Sequence, residues 1–460
     1  MSLGAATAVG RAWRRMDART RHAAAAGVFG VLGRLGGALV VLVYAPMARE
    51  VLGPERFGVW MMLTAWTTLF AFADLGVGNA ALNRVTAALA DDGDADRRRQ
   101  RLGATIDAAV ACTIVLGLLL LALAAAWAWL APVPSAVAGL IAPGNRTKVD
   151  VALALFAVIF ALSLPTALGQ KLQLGAQDGQ WAGWTQFVAS VLSLAAVPLV
   201  LQRGGGLPEL VLATQGVSLM VQAASALWWL RRRGLPWPRP LRAWRTPLLL
   251  KALMVEGAAF FGLQLAAAAA FQSDAVIVTQ HLGAEVYGDY AVVQRIYLLV
   301  GAGVVTALAG LWPAFGDAWL RRDVAWVRRT LRRALLAAGL STLVAVLLLQ
   351  LLLPGWAVDP LGAQAAPAPL LLGLLGAWTV VETLGAVCAA LLNGANLIRI
   401  QLALAATMAI LAVAGKWWVT PLLGPAGAVL PMLLAYVLVS VPGQVILIRR
   451  LLATPSRPMP

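Results

Sequence analysis

Arg34 and Arg295 raise the first chemical question, because each interrupts a long apolar run. An ionisable side chain in the middle of a bilayer costs at least about 2.5 kcal/mol, so one that is kept there is read first as functional. Gly30 and Gly37 lie one turn from Arg34, Ala38 lies at i+4 and Gly27 two turns back. Such small residues leave room for a guanidinium to enter a cavity, or let a neighbouring helix approach closely. Arg295 sits in "YAVVQRIYLLV". Two such cations facing a shared cleft would hold a diphosphate, since a guanidinium binds phosphate oxygens bidentately and stays charged in any surroundings. The competing arrangement pairs each arginine with a carboxylate in a structural bridge.

The acids make a second group. Glu256 and Asp274 are 18 residues apart, which puts them on one helix face about 27 Å apart along the axis. Gln264, Ala267 and Phe271 fall on roughly the same side, so a polar stripe is one reading and an Asp274–Arg295 pair the other. Asp74, Asp107 and Glu382 are the remaining acids at or inside apolar runs. Glu382, deep in its run, is the better candidate for a proton or cation relay, whereas Asp107 lies near a run's edge and is expected to be solvated. Asn79 and Asn83, one turn apart, would either touch a polar headgroup or cap and pack their own helix. His22 and His281 have no metal-ligand spacing, and the chain has no Gly-rich phosphate loop with its lysine. Neither a metal, another cofactor nor ATP hydrolysis is therefore expected. Cys112 and Cys388 lie inside apolar runs and are expected to pack rather than to form a disulfide framework.

Elements that hold such residues must be membrane-spanning helices. Of 460 residues, 61% are hydrophobic and only 12% charged, against about 25% charged in a soluble domain. Apolar runs of about 20 residues recur throughout, the length that crosses a hydrocarbon core. Barrel strands would alternate, whereas "TIVLGLLLLALAAAWAWL" is apolar on every side. Residues 1–22 carry five arginines and no short apolar core with a cleavage site, so no signal peptide is expected. The hydropathy pattern predicts twelve spans, near 24–46, 57–78, 104–130, 149–169, 181–201, 208–230, 252–280, 286–312, 333–353, 368–391, 399–419 and 425–448.

With the first segment inside, 28 of the 36 Lys and Arg residues fall in inner segments and six in outer ones, Lys416 among the outer. That asymmetry places both termini in the cytoplasm and accounts for the net charge of +16 without nucleic acid. Trp127 and Trp129, Trp228 and Trp229, and Trp417 and Trp418 fall at the interfaces as an aromatic belt. The outer loops, the longest near 131–148 and 354–367, are too short for a soluble catalytic domain.

The chain is written twice. At a shift of 230, "VLGPERFGVW" (51–60) falls on "HLGAEVYGDY" (281–290), with Leu52, Gly53, Glu55 and Gly58 on identical residues; Arg98 and Arg99 fall on Arg328 and Arg329. At a shift of 219, Gly175 and Ala176 fall on Gly394 and Ala395. The order of these echoes makes spans 1–6 and 7–12 two halves of equal orientation. The expected organisation is a segment 1–23, a lobe 24–230, a Pro- and Arg-rich link 231–251, a lobe 252–448 and a tail 449–460. The fold class is all-α integral membrane, with two pseudo-symmetric six-helix lobes around a central cavity.

"YAPMAREVLGPERFGVWMMLTAWTTLFAFADLGVGNAALNRVTAAL" (44–89) resembles the first two spans of bacterial polysaccharide and O-antigen flippases, whose second span typically ends in an Asp-Leu-Gly-hydrophobic-Gly-Asn element like Asp74 to Asn79. "DAVIVTQHLGAEVYGDYAVVQRI" (274–296) is similar to the seventh and eighth spans, and "LWPAFGDAWLRRDVAWVRRTLRRAL" (311–335) to the loop that follows. These flippases belong to the multidrug/oligosaccharidyl-lipid/polysaccharide exporter superfamily. The resemblance implies translocation of an undecaprenyl-diphosphate-linked oligosaccharide across the inner membrane by alternating access, with Arg34 and Arg295 on the diphosphate. It implies as partners the lipid-linked glycan, membrane lipids, a proton or sodium ion and other polysaccharide-assembly proteins. The alternatives are a cation-coupled multidrug exporter of the same superfamily, which would want an acidic cavity, and an integral-membrane polymerase or ligase, which would want a long reactive outer loop.

Overall fold

The computed structural model describes residues 27–33, 44, 47–53, 56–60, 63–64, 67, 72–91, 94–130, 146–356 and 368–453. Arg34, most of the first two expected spans and the two long outer loops lie outside them. The described residues form α1 (Val77–Ala90), α2 (Ala95–Leu130), α3 (Arg146–Gly175), α4 (Gly179–Gln202), α5 (Leu207–Arg232), α6 (Pro240–Ala243) and α7 (Pro247–Leu282). They continue with α8 (Ala284–Ala307), α9 (Leu311–Leu320), α10 (Val324–Trp356), α11 (Pro369–Gly394), α12 (Ile398–Leu423) and α13 (Ala426–Ala453). Among the described residues there is no strand, and ten helical stretches are long and apolar enough to span a bilayer. Every stretch matches one of the expected spans 3–12, and most run several residues beyond the hydropathy limits. The protein is a multi-pass, all-helical membrane protein. Leu118, Leu119 and Leu123 on α2, like Leu340, Leu348 and Leu351 on α10, are exposed, as side chains solvated by lipid tails should be.

The chain divides into two compact units, Met1–Ala258 and Ala259–Pro460. The first buries Leu52, Trp60, Phe156 and Leu207 in one cluster and Ala80, Val85, Ile106 and Trp229 in another. The second is built around Tyr290, Tyr297, Leu375, Trp378 and Met432.

The sequence echoes are repeated joints. Gly53 and Gly283, which end their helices, both have positive φ, 74° and 96°, a conformation open to glycine because it lacks a Cβ. The α3–α4 and α11–α12 turns share one geometry: Gln177 and Asn396 have φ of 62° and 60°, and the Asp178 and Leu397 amides donate to the Gln173 and Leu392 carbonyls at 2.8 and 2.9 Å. Just before these turns, Gly175 abuts α1 and Gly394 abuts α9. A Cβ on Gly175 would lie 2.6 Å from the Leu82 carbonyl oxygen, and one on Gly394 would lie 2.8 Å from the Trp312 oxygen. Leu82 and Trp312 are themselves 230 positions apart.

One expected boundary is corrected. Span 2 does not end at 78, because α1 carries a helix on to Ala90 after a break at residues 72–76. Asp74 makes the new start: its Oδ1 accepts the Gly76 amide at 2.9 Å and its Oδ2 the Gly78 amide at 3.0 Å.

Candidate functional site

In the first unit two polar side chains on α1 meet partners on α3 and α7. The Asn79 Oδ1 accepts from the Lys171 ammonium at 2.8 Å, and Lys171 also packs against Gly78 beside the capping carboxylate of Asp74. One turn further, Arg84 holds Glu256 bidentately, with Nε and Nη2 donating at 3.1 and 2.5 Å. Asn83 lies half-buried between these two groups in sequence. Asp74 is thus committed to a helix start, Asn79 to a lysine and Glu256 to an arginine.

In the second unit Asp274 is the hub. Its carboxylate accepts from the Lys416 ammonium at 2.5 Å, the Tyr290 hydroxyl at 2.6 Å and the Gln294 amide at 2.8 Å. The Lys416 ammonium also donates to the Ala270 carbonyl. Lys416 is fully buried and Asp274 is 2% exposed, so the pair is charge-neutral where a lone ion would be prohibitive. Lys416 therefore does not lie in an outer segment; it is an interior residue of α12. Lys171 and Arg84, counted among loop cations from hydropathy, are likewise inside helices and bonded. Asp274 does not pair with Arg295, because Lys416 holds its carboxylate. The expected stripe on α7 resolves into separate parts: Glu256 and Asp274 each have a cation, while Gln264 keeps a buried Oε1 without a hydrogen-bond partner.

Beside this hub lies a cavity of about 350 Å³ including its open side, lined among others by Asp274, Tyr290, Gln294, Tyr297, Trp378 and Glu382. Glu382 is half-buried on α11 and is the cavity's one carboxylate that holds no cation among the described residues. Arg295, the residue after Gln294 on α8, is exposed and makes no ion pair with a described residue. The ionisable groups in the apolar part of the second unit thus sort into a closed pair, Asp274–Lys416, and two open charges, Arg295 and Glu382. Among the described residues no cluster of His, Cys, Asp and Glu has the makings of a metal site.

Sequence reasoning missed Lys416, Lys171, Arg84, Tyr290 and Gln294. The lysines and Arg84 stand near the ends of apolar runs, where hydropathy assigns a cation to water. Each partner is distant in sequence, Asp274 lying 142 residues before Lys416, so local periodicity carries no trace of the pairing.

Comparison with known proteins agrees with this architecture. The sequence profile of a family described as polysaccharide biosynthesis protein matches residues 26–319. No curated protein sequence matches the chain. Among solved structures, an outward-facing multidrug resistance MATE family transporter of the MOP superfamily superposes with a TM-score of 0.76 at 14% identity, covering 96% of this chain and 97% of the other. A MATE protein in a bent conformation gives 0.77 at 16% identity, with 96% and 98% covered. A MOP superfamily transporter from Pyrococcus furiosus, described as having a binding pocket of reverse polarity that suggests a different function, gives 0.78 at 15% identity, with 97% and 98% covered. At such identities the likeness is one of fold.

Proposed function

Because the chain belongs to the polysaccharide biosynthesis protein family, we propose that it is a flippase of lipid-linked sugar. On this reading it moves an undecaprenyl-diphosphate-linked oligosaccharide across the bacterial inner membrane by alternating access, with both termini in the cytoplasm. The observation that carries the reading is the open charge of Arg295. Arg84 and Lys416 are closed by carboxylates and Lys171 is held by Asn79, whereas Arg295 is exposed and pairs with no carboxylate among the described residues, which leaves its guanidinium for a diphosphate. Arg34 supplies the second guanidinium. The chemistry is binding and release, so no covalent step is assigned to any residue. Glu382 is the coupling carboxylate for a proton or sodium ion, because Asp274 is already satisfied. Asn79 and Asp74 support α1 rather than contact the headgroup.

The test is reconstitution in liposomes with a labelled undecaprenyl-diphosphate sugar, following its accessibility on the far side. Arg295→Ala and Arg34→Ala are expected to lose flipping while the protein stays folded, and a double variant that flips like the wild type would sink the headgroup clamp. Multidrug export is the second reading, favoured by the fold shared with MATE transporters and by the acidic Glu382 in its cavity. It predicts instead that Glu382→Gln stops cation-driven drug efflux and that the arginine variants leave it intact.

A further inference from the structure

The link between α5 and α7 has a composition and an exposure that transport does not explain. Residues 231–251, "RRRGLPWPRPLRAWRTPLLLK", contain seven cations and no acid. All seven are exposed, and so are Trp237, Leu241, Trp244 and Leu248, at 56%, 83%, 64% and 82%. A loose loop would fold such side chains inward or sample many arrangements, but this one is pinned. Arg99, Gly103 and Asp107 make a stripe along α2 at i, i+4 and i+8. The Arg99 Nη2 donates to the Gly234 carbonyl at 2.5 Å, and Asp107 Oδ1 accepts the Arg239 amide at 2.6 Å. Pro236 packs over Gly103, where a Cβ would lie 3.4 Å from its ring. Ala243, 1% exposed, turns inward from α6. The apolar side chains therefore point outward because the backbone is held, not because it is free.

The surroundings identify what meets them. Both α5, which ends at Arg232, and α7, which begins at Pro247, are long and apolar enough to cross a bilayer. The link accordingly lies at the bilayer's edge, where tryptophan and leucine sink to the headgroup boundary and arginine finds phosphate. A segment with seven cations and no acid of its own favours anionic headgroups over zwitterionic ones. Two arginines are otherwise engaged: Arg233 bonds Asp178, and Arg232 stacks on Trp181 and Trp228 at 5.0 and 5.1 Å. Arg231 and Lys251 stand at the two ends of the link, and Arg239, Arg242 and Arg245 are the ones interleaved with the exposed apolar residues.

We propose that residues 233–248 form a fixed interfacial foot that seats on anionic phospholipid, with Trp237, Leu241, Trp244 and Leu248 in the headgroup boundary and Arg239, Arg242 and Arg245 on the lipid phosphates. This inference is independent of the transported substrate. It is tested with the full chain in two ways. Native mass spectrometry in detergent titrated with phosphatidylglycerol or phosphatidylcholine is expected to show preferential retention of the anionic lipid. In R239Q/R242Q/R245Q that preference should fall by about fivefold for each arginine removed, the factor equivalent to about 1 kcal/mol per cation at an anionic leaflet. A nitroxide on Trp237→Cys, in a chain lacking Cys112 and Cys388 and placed in phosphatidylglycerol-containing nanodiscs, is expected below the phosphate level by oxygen-versus-nickel accessibility. The three arginines and Trp237 are exposed, so the unfolding temperature in detergent should stay at the wild-type value and certify the fold. Unchanged lipid preference in the triple variant, or a water-exposed nitroxide at 237, overturns the proposal.

Discussion

Lys416 closes a charge inside the bilayer, and the cost of opening it can be foreseen. Its partner Asp274 is 2% exposed, so Lys416→Met leaves a carboxylate stranded, a loss of about 3–5 kcal/mol. The expected result is a large fall in the unfolding temperature in detergent. Lys416→Met combined with Asp274→Asn removes both charges and should recover most of that loss; a double variant as unstable as the single one would show that the residues are not acting as a pair. Tyr290→Phe deletes one hydroxyl donated to Asp274 and should cost about 1–3 kcal/mol by the same measurement. The sequence displayed Asp274 and Arg295 as the charges to watch but hid Lys416, which stands beside Trp417 and Trp418 where a cation is read as interfacial. Apolar context is readable locally, whereas ion pairing across 142 residues depends on how helices meet.

At the scale of the helix pair, the two echoing glycines serve as contact points between backbones. Gly175→Ala would drive a methyl against the Leu82 carbonyl, and Gly394→Ala would drive one against Trp312 and Gly316. Each should destabilise by about 1–3 kcal/mol, the usual penalty of overpacking. Thermal unfolding of the two variants in parallel checks this, and similar losses are expected because the joints are copies. Gly53→Ala is a different case, since nothing lies within 4 Å of its would-be Cβ and only its φ of 74° resists; its loss should stay near 1 kcal/mol. These joints were legible because a glycine forced by geometry recurs wherever the geometry does. The end of span 2 was not: Asn79, Asn83 and Arg84 depress hydropathy, yet the helix continues, because the Asp74 cap starts it and Lys171 and Glu256 satisfy two of the polar groups.

For the whole molecule, the question is whether Arg295 meets water or lipid. Cys112 and Cys388 are the chain's only thiols, so C112A/C388A offers a background in which Arg295→Cys is the sole target. A membrane-impermeant maleimide is expected to label position 295, and the lipid-linked sugar to protect it. Failure to label under any condition would place the side chain against lipid and remove the clamp. Ten of the twelve spans expected from hydropathy are helices among the described residues, because an unbroken apolar run is readable locally. The two compact units adjoin in sequence within one uninterrupted helix, between Ala258 and Ala259 of α7. That helix is moored twice: Glu256 to Arg84 in the first unit and Asp274 to Lys416 in the second. One helix thus carries a half-open tie, its side chains 27% and 24% exposed, and a sealed one at 0% and 3%: the first is a latch that its surroundings can reach, the second a rivet that they cannot.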